Sequence, residues 1–195
     1  MMNERTETRT VVFAMCGSFC SFAAVLPQIR ELRRRGWAVL PLPSASAAAL
    51  DTRFGTAAQL RRTRRELTGR EPLTSLQQAE PLGPQKMGDA MVVAPCTGTT
   101  LALLARGISG TAVTLAAKSL LRGGRPIVLA PSTNDGLAGS APNLAALLQR
   151  KHFYFVPFGQ DDCYKKPASL KSDFALLPDT LESAMRGVQL QPLLL

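Results

Sequence analysis

An α/β fold, with a parallel sheet covered by helices on both faces, is what this sequence predicts, and three observations predict it. Five apolar runs of four or five residues are continuous rather than alternating, the pattern of strands buried on both faces. Between them lie longer stretches whose apolar residues recur at helical spacing. Strand and helix therefore alternate, and right-handed crossovers wind such units into one sheet.

The first run is Val11 to Met15, and behind it Phe22, Val25, Leu26, Ile29 and Leu32 mark one helical face. Pro27 lies inside that face and removes one hydrogen bond, which predicts a kink or a late start. Ala38 to Leu42 is the second strand, followed by a helix carrying Leu60 and Leu67. Ala90 to Ala94 is the third, followed by Leu101 with Leu104 and then by Val113, Ala116, Ala117 and Leu120. Ile127 to Ala130 and Phe153 to Val156 complete the strands. The 195 residues suit one domain, taken as residues 10–195 behind a flexible N-terminus of residues 1–9.

Hydrophobic residues make up 46% of the chain and charged residues 19%, a balance that supports a packed core. No apolar run approaches the roughly 18 residues of a membrane span. The polar stretch Met1 to Thr10 is no signal peptide, and the expected location is the cytoplasm. Cys16, Cys20, Cys96 and Cys163 show no C-x-x-C spacing, and with His152 as the single histidine no zinc site is expected. The thiols read as small buried hydrophobes. His152 opens a strand and has no motif around it, which argues against a histidine-based hydrolase.

Ten arginines lie between Arg30 and Arg70 against Glu31, Asp51 and Glu66, so that segment holds seven of the nine net positive charges. Solvated helix faces account for them; so would attraction of an acidic protein or a dicarboxylate. Nucleic acid is disfavoured, because only Trp37 and Phe54 supply aromatic rings there.

Ligands of such sheets bind beyond the carboxyl ends of the strands. The loops Cys16 to Ser21, Pro43 to Ser46, Pro95 to Thr100, Pro131 to Asp135 and Pro157 to Asp162 are therefore the places to look. In the first, Gly17 and Ser18 follow a strand and Ser21 stands at a helix N-cap, an arrangement open to a phosphate or to a plain tight turn. The chain has neither G-x-G-x-x-G nor a G-K-[ST] loop, so NAD and ATP sites are not supported. In the third, a proline ends the strand, Thr97 can cap the next helix, Gly98 admits a ligand close to the backbone, and Thr99 and Thr100 add hydroxyls.

The stretch A-P-C-T-G-T-T, followed by A-R-G-I and T-A-V-T-L-A-A, resembles the flavoprotein family of FMN-dependent cysteine decarboxylases and flavin prenyltransferases. Val25 to Leu32, T-R-F-G at Thr52 to Gly55, A-E-P-L-G-P at Ala79 to Pro84, S-T-N-D at Ser132 to Asp135 and P-F-G-Q-D-D-C-Y-K-K-P at Pro157 to Pro167 are similar to the B-subunit family of bacterial dipicolinate synthases. The resemblance implies a single three-layer Rossmann-like domain of flavodoxin-like type. It also implies FMN held by Gly17, Ser18, Phe19, Ser44, Thr97, Gly98, Thr99 and Thr100, with Ser132, Thr133 and Asn134 next to them. Thr99 stands where the decarboxylases carry an asparagine that handles the substrate carboxylate, and their histidine has no equivalent here, so cysteine decarboxylation is not expected.

The implied activity is NADP-linked formation of dipicolinate during sporulation, with NADP brought by the dipicolinate synthase A subunit, in the mother cell of a spore-former. A small dicarboxylate asks for cations at the ligand edge; Arg53, Lys165 and Lys166 flank it, although surface solvation explains each equally simply. Asp161 and Asp162 read either as acid and base groups or as caps of the C-terminal helical segment. A homo-oligomer is expected. Two alternatives stand beside this reading: a scaffold subunit with a vestigial flavin site, and an independent FMN-dependent decarboxylase or prenyltransferase.

Overall fold

The computed structural model describes residues 9–195, so residues 1–8 of the expected N-terminal segment lie outside the described residues. Seven strands form one sheet: β1 (Thr10–Met15), β2 (Ala38–Pro43), β3 (Ala90–Cys96), β4 (Ile127–Thr133), β5 (Phe153–Phe155), β6 (Phe158–Asp162) and β7 (Lys166–Ser172). The helices are α1 (Phe22–Arg34), α2 (Ala45–Ala49), α3 (Ala57–Thr68), α4 (Leu76–Ala79), α5 (Gly98–Ala105), α6 (Ala112–Arg122), α7 (Ala141–Leu148) and α8 (Leu177–Met185). Strands β2, β1, β3, β4 and β5 run parallel in that spatial order, and the order reverses between β1 and β3.

Alternation along each strand feeds two cores. Val11, Phe13 and Met15 of β1 face one side, where α1, α3 and α8 supply Ile29, Leu60 and Leu181. Val12, Ala14 and Cys16 face the other, where Leu101, Leu120 and Leu147 come from α5, α6 and α7. Almost all are under a tenth exposed, and burying one such aliphatic side chain contributes about 1.5–3 kcal/mol. The helix starts are set by polar caps: Thr56 and Ser75 each form a reciprocal capping box with the glutamine three residues on, and Thr111 does so with Thr114.

The structure corrects several expectations. Helix α1 runs through Pro27 without a late start there. Pro95 and Pro131 do not end strands: β3 and β4 continue past them, and the register of that pair shifts between Val93 and Cys96, a place where a missing N–H is tolerated. Residues Phe158 to Asp162, taken as a loop, form β6, which pairs with β7 as an antiparallel hairpin. Of the four cysteines only Cys16 and Cys96 are buried; Cys20 and Cys163 are exposed.

Most of the arginine-rich segment is solvated helix face. Arg34 and Arg35 share Glu31, and Arg61 and Arg65 share Glu71. Arg64 is the exception, at 1% exposure. Its Nη2 donates to the Ala47 carbonyl at 3.2 Å, while Nε and Nη1 have no partner among the described residues. Burial lowers its pKa to about 10. None of the described helices is long and apolar enough to cross a membrane.

Candidate functional site

A cavity of about 710 Å3 opens at the carboxyl ends of β1, β3 and β4, on the point where strand order reverses. That volume lies within the few hundred to a thousand cubic ångströms usual for small-molecule sites.

One wall is the turn after β1. Ser18 precedes a short 3-10 turn, Phe19–Ser21, that leads directly into α1. Ser21 occupies the position before α1 but its hydroxyl does not cap the helix. It lies 2.9 Å from the Ser132 hydroxyl instead, which in turn lies 2.8 Å from that of Ser18. Three hydroxyls from two strand ends thus meet with no charge to orient them, and such a cluster can offer either hydrogens or lone pairs.

The second wall is the start of α5. Thr97 caps the helix, its Oγ1 accepting from the Thr100 N–H at 3.5 Å. The backbone at Gly98 passes so close to the neighbouring chain segment that a Cβ there would sit 2.6 Å from Ser140 Oγ and 2.8 Å from Thr133 Oγ1. Thr99 reaches the cavity, whereas Thr100 is buried and donates to Cys16 Sγ at 3.2 Å. Burial pushes the Cys16 thiol up to about 11 and the Cys96 thiol well above its ordinary value, so both are held as neutral thiols in the core.

The third wall is the end of β4 with its loop. Ser132, Thr133 and Asn134 line the cavity, and so does Asp135. The Thr133 and Ser140 hydroxyls both donate to Asp135 Oδ1, at 2.5 Å and 2.8 Å, and hold its pKa below the ordinary carboxylate value.

The rim is cationic. Arg53 stacks on Phe54 at 4.8 Å, and Lys166 and Lys171 project from the hairpin on either side of Asp161. Lys166 Nζ lies 2.8 Å from Asp161 Oδ2, and Lys171 Nζ lies 3.7 Å from Oδ1. The hydrogen bond from Lys166 lowers the Asp161 pKa and raises that of Lys166.

The cavity therefore brings together Gly17, Ser18, Phe19, Thr97, Gly98, Thr99, Ser132, Thr133 and Asn134, with Arg53, Asp161 and Lys166 at its edge. Four expected residues lie off its lining. Ser44 caps α2 by accepting from the Ala47 N–H, and Thr100 is buried as described. Lys165 stands in the β6–β7 turn, and Asp162 accepts from the Tyr164 and Lys165 backbone N–H groups of that turn. Neither Asp161 nor Asp162 caps a helix; Asp173 does that work for the turn before α8, accepting from the Ala175 N–H. His152 is not on the lining.

Asp135, Ser169 and Lys171 line the cavity without having been expected there. The S-T-N-D motif already contained Asp135; Ser169 and Lys171 needed β7, whose charged alternation does not read as a buried strand.

A family model described as Flavoprotein matches residues 2–172. The chain is 42% identical over 186 residues to the B subunit of dipicolinate synthase from Bacillus subtilis, a match that covers 95% of this chain and 93% of that protein. Among solved structures, the dipicolinate synthase B subunit from Bacillus halodurans superposes with a TM-score of 0.88 at 37% identity, over 96% of each chain. The FMN-dependent cysteine decarboxylase SpaF shares the fold, with a TM-score of 0.64 at 22% identity over 90% of this chain and 97% of its own.

Proposed function

The chain belongs to the flavoprotein family, in the branch of the dipicolinate synthase B subunit, and from that membership we propose that its cavity holds FMN and that it acts with an A subunit to form dipicolinate in sporulating cells. The observation that carries this reading is the meeting of the serine cluster, the Gly98 backbone and the Thr133–Asp135 pair at the switch point of the sheet. The cavity size suits a mononucleotide, the hydroxyls of Ser18, Ser21 and Ser132 can donate to a phosphate, and Phe19 offers an apolar face to a planar ring. FMN when bound supplies a two-electron acceptor.

Aromatising a dihydropyridine dicarboxylate removes one hydride and one proton. The chain contains no dinucleotide fingerprint, so in this reading the NADP that finally takes the hydride belongs to the A subunit, the proton goes to solvent, and the hydroxy-tetrahydro form first loses water. In this reading the rim cations Arg53 and Lys166 attract the carboxylates of the precursor, dihydrodipicolinate or its hydroxy-tetrahydro form, and the Lys166–Asp161 hydrogen bond at 2.8 Å supports placing Lys166 there. Cysteine decarboxylation is not proposed: the only histidine lies off the cavity lining, and Thr99 offers a hydroxyl in place of an amide.

Two measurements test the proposal. Titration of the purified chain with FMN, FAD and NADP should show flavin fluorescence quenching with FMN alone at micromolar concentration. Mixing with an NADP-dependent A subunit should then produce pyridine absorbance that neither chain gives by itself. Absence of FMN binding at high micromolar concentration would favour a scaffold role. Full-rate dipicolinate formation by the isolated A subunit, with no complex detected at low salt, would defeat the joint reading.

A further inference from the structure

Thr133 and Asp135 lie two residues apart on the same cavity wall, and their hydrogen bond has a fixed direction. An ionised carboxylate accepts and cannot donate, so the single hydroxyl hydrogen of Thr133 is spent on Asp135 Oδ1 at 2.5 Å. Ser140, 3% exposed, spends its hydrogen on the same oxygen at 2.8 Å. No donor from the described residues reaches Thr133 Oγ1 in return. The hydroxyl therefore meets the cavity with lone pairs only. The Gly98 backbone packs against this pair, and any side chain there would press on it, since a Cβ would come within 2.8 Å of the same oxygen and 3.0 Å of Asp135 Oδ1.

The neighbouring serine cluster, shared between the turn after β1 and Ser132 of β4, has no such constraint, because Ser18, Ser21 and Ser132 bond only to one another and to the Cys20 thiol. That cluster is adaptable and can serve an anion. The Thr133 hydroxyl beside it is set as an acceptor and suits a neutral N–H.

We infer that Asp135 is a positioning residue that fixes Thr133 as a hydrogen-bond acceptor, and that this pair selects a heterocyclic ligand carrying an N–H, such as the imide of a flavin ring. The inference rests on the flavin reading above and adds to it which residue reads the ring's polarity and what orients that residue. An asparagine at position 135 would present an amide N–H to the hydroxyls, free the Thr133 hydrogen to turn into the cavity, and set it against a ligand N–H.

The test is a double-mutant cycle on FMN binding, read by fluorescence quenching with the purified chain. Thr133→Val removes the acceptor at nearly constant volume, and Asp135→Asn leaves it but releases its orientation. Each should raise the Kd for FMN about tenfold, the worth of one hydrogen bond. The double variant should bind no worse than the weaker single, because Asp135 acts through Thr133. Ser140→Ala removes the other donor to the same carboxylate and should leave the Kd within about twofold, whereas a merely structural role for the loop would make it as damaging as Asp135→Asn. Thr133→Ser keeps the hydroxyl and should bind as the parent does, which keeps the idea testable should Asp135→Asn fail to fold. Additive losses near a hundredfold, an unchanged Kd in Asp135→Asn or in Thr133→Val, or a loss in Thr133→Ser would overturn the inference while leaving the flavin reading intact. Absence of FMN binding by the parent chain would overturn both.

Discussion

The parallel half of the sheet and the β6–β7 hairpin share one strand, β4, yet are built on opposite rules. Val11, Val12, Ala14, Val92 and Val93 are wholly buried between two helical layers, and their order follows from apolar area removed from water. The hairpin extends the sheet antiparallel beyond β4, buries Phe158 and Leu170 while exposing Gln160, Asp161 and Lys171, and adds charge pairs at Asp161 to its strand pairing. One region makes the fold, and the other shapes the opening of the cavity. The comparison teaches that the stable part of this protein and its selective part can be altered separately.

The largest effect that would sharpen this contrast is Phe13→Ala. Phe13 is 1% exposed in the middle of β1, and its truncation should cost about 3–5 kcal/mol in denaturant unfolding, enough to compromise folding. A loss below about 1 kcal/mol would show that the parallel half is not the source of stability. Arg64→Met comes next and tests the one charge that breaks the rule. Replacing a buried guanidinium with two unpartnered nitrogens by an apolar chain of similar reach should raise stability by about 1–3 kcal/mol, and a clear loss would mean that those nitrogens are satisfied in solution.

Gly136→Ala probes the seam between the regions. A Cβ there would lie 2.6 Å from Leu170 Cγ, so the substitution should cost about 1–3 kcal/mol and weaken ligand binding at the hairpin side. The smallest effect is that of Asp161→Asn, a shift of about 3 °C or less in the thermal midpoint, as for a surface ion pair. Its pH dependence has a definite sign. Lys166 and then Lys171 depress the Asp161 pKa in the folded state, so the stabilisation is present above the unfolded value near 4 and fades as pH falls through the lower folded value. Thermal melts from pH 6 to pH 2 should show the parent losing this increment and the variant lacking it throughout.

The parallel half was legible because β1 to β5 are continuous apolar runs, and a strand buried on both faces has no other way to be written. The boundaries at Pro95 and Pro131 were not, because a proline ends a strand only when its N–H is needed, and the irregular β3–β4 register removes that need. The hairpin escaped for the opposite reason: F-G-Q-D-D and K-P-A-S-L-K-S carry too much charge to look like sheet, and only pairing with β4 makes them so. At the site, the glycine and hydroxyl loops could be read from strand ends. What one hydroxyl does could not: Thr100 faces inward to Cys16, and Thr133 faces Asp135, although both are threonines following a proline by a few residues.

Strand β4 is clasped by different neighbours along its length, β5 at Ile127 to Leu129 and β7 at Ser132 and Thr133, and the loop beyond it is tied to the hairpin again through the Leu137 N–H and the Ala168 carbonyl at 2.9 Å. Loop and hairpin should consequently open as one cooperative unit, while the first half of β4 stays protected with the core. In hydrogen exchange the Leu137 amide should keep pace with those of β6 and β7 rather than with Val128, and a ligand that seats against Thr133 should slow the whole unit together.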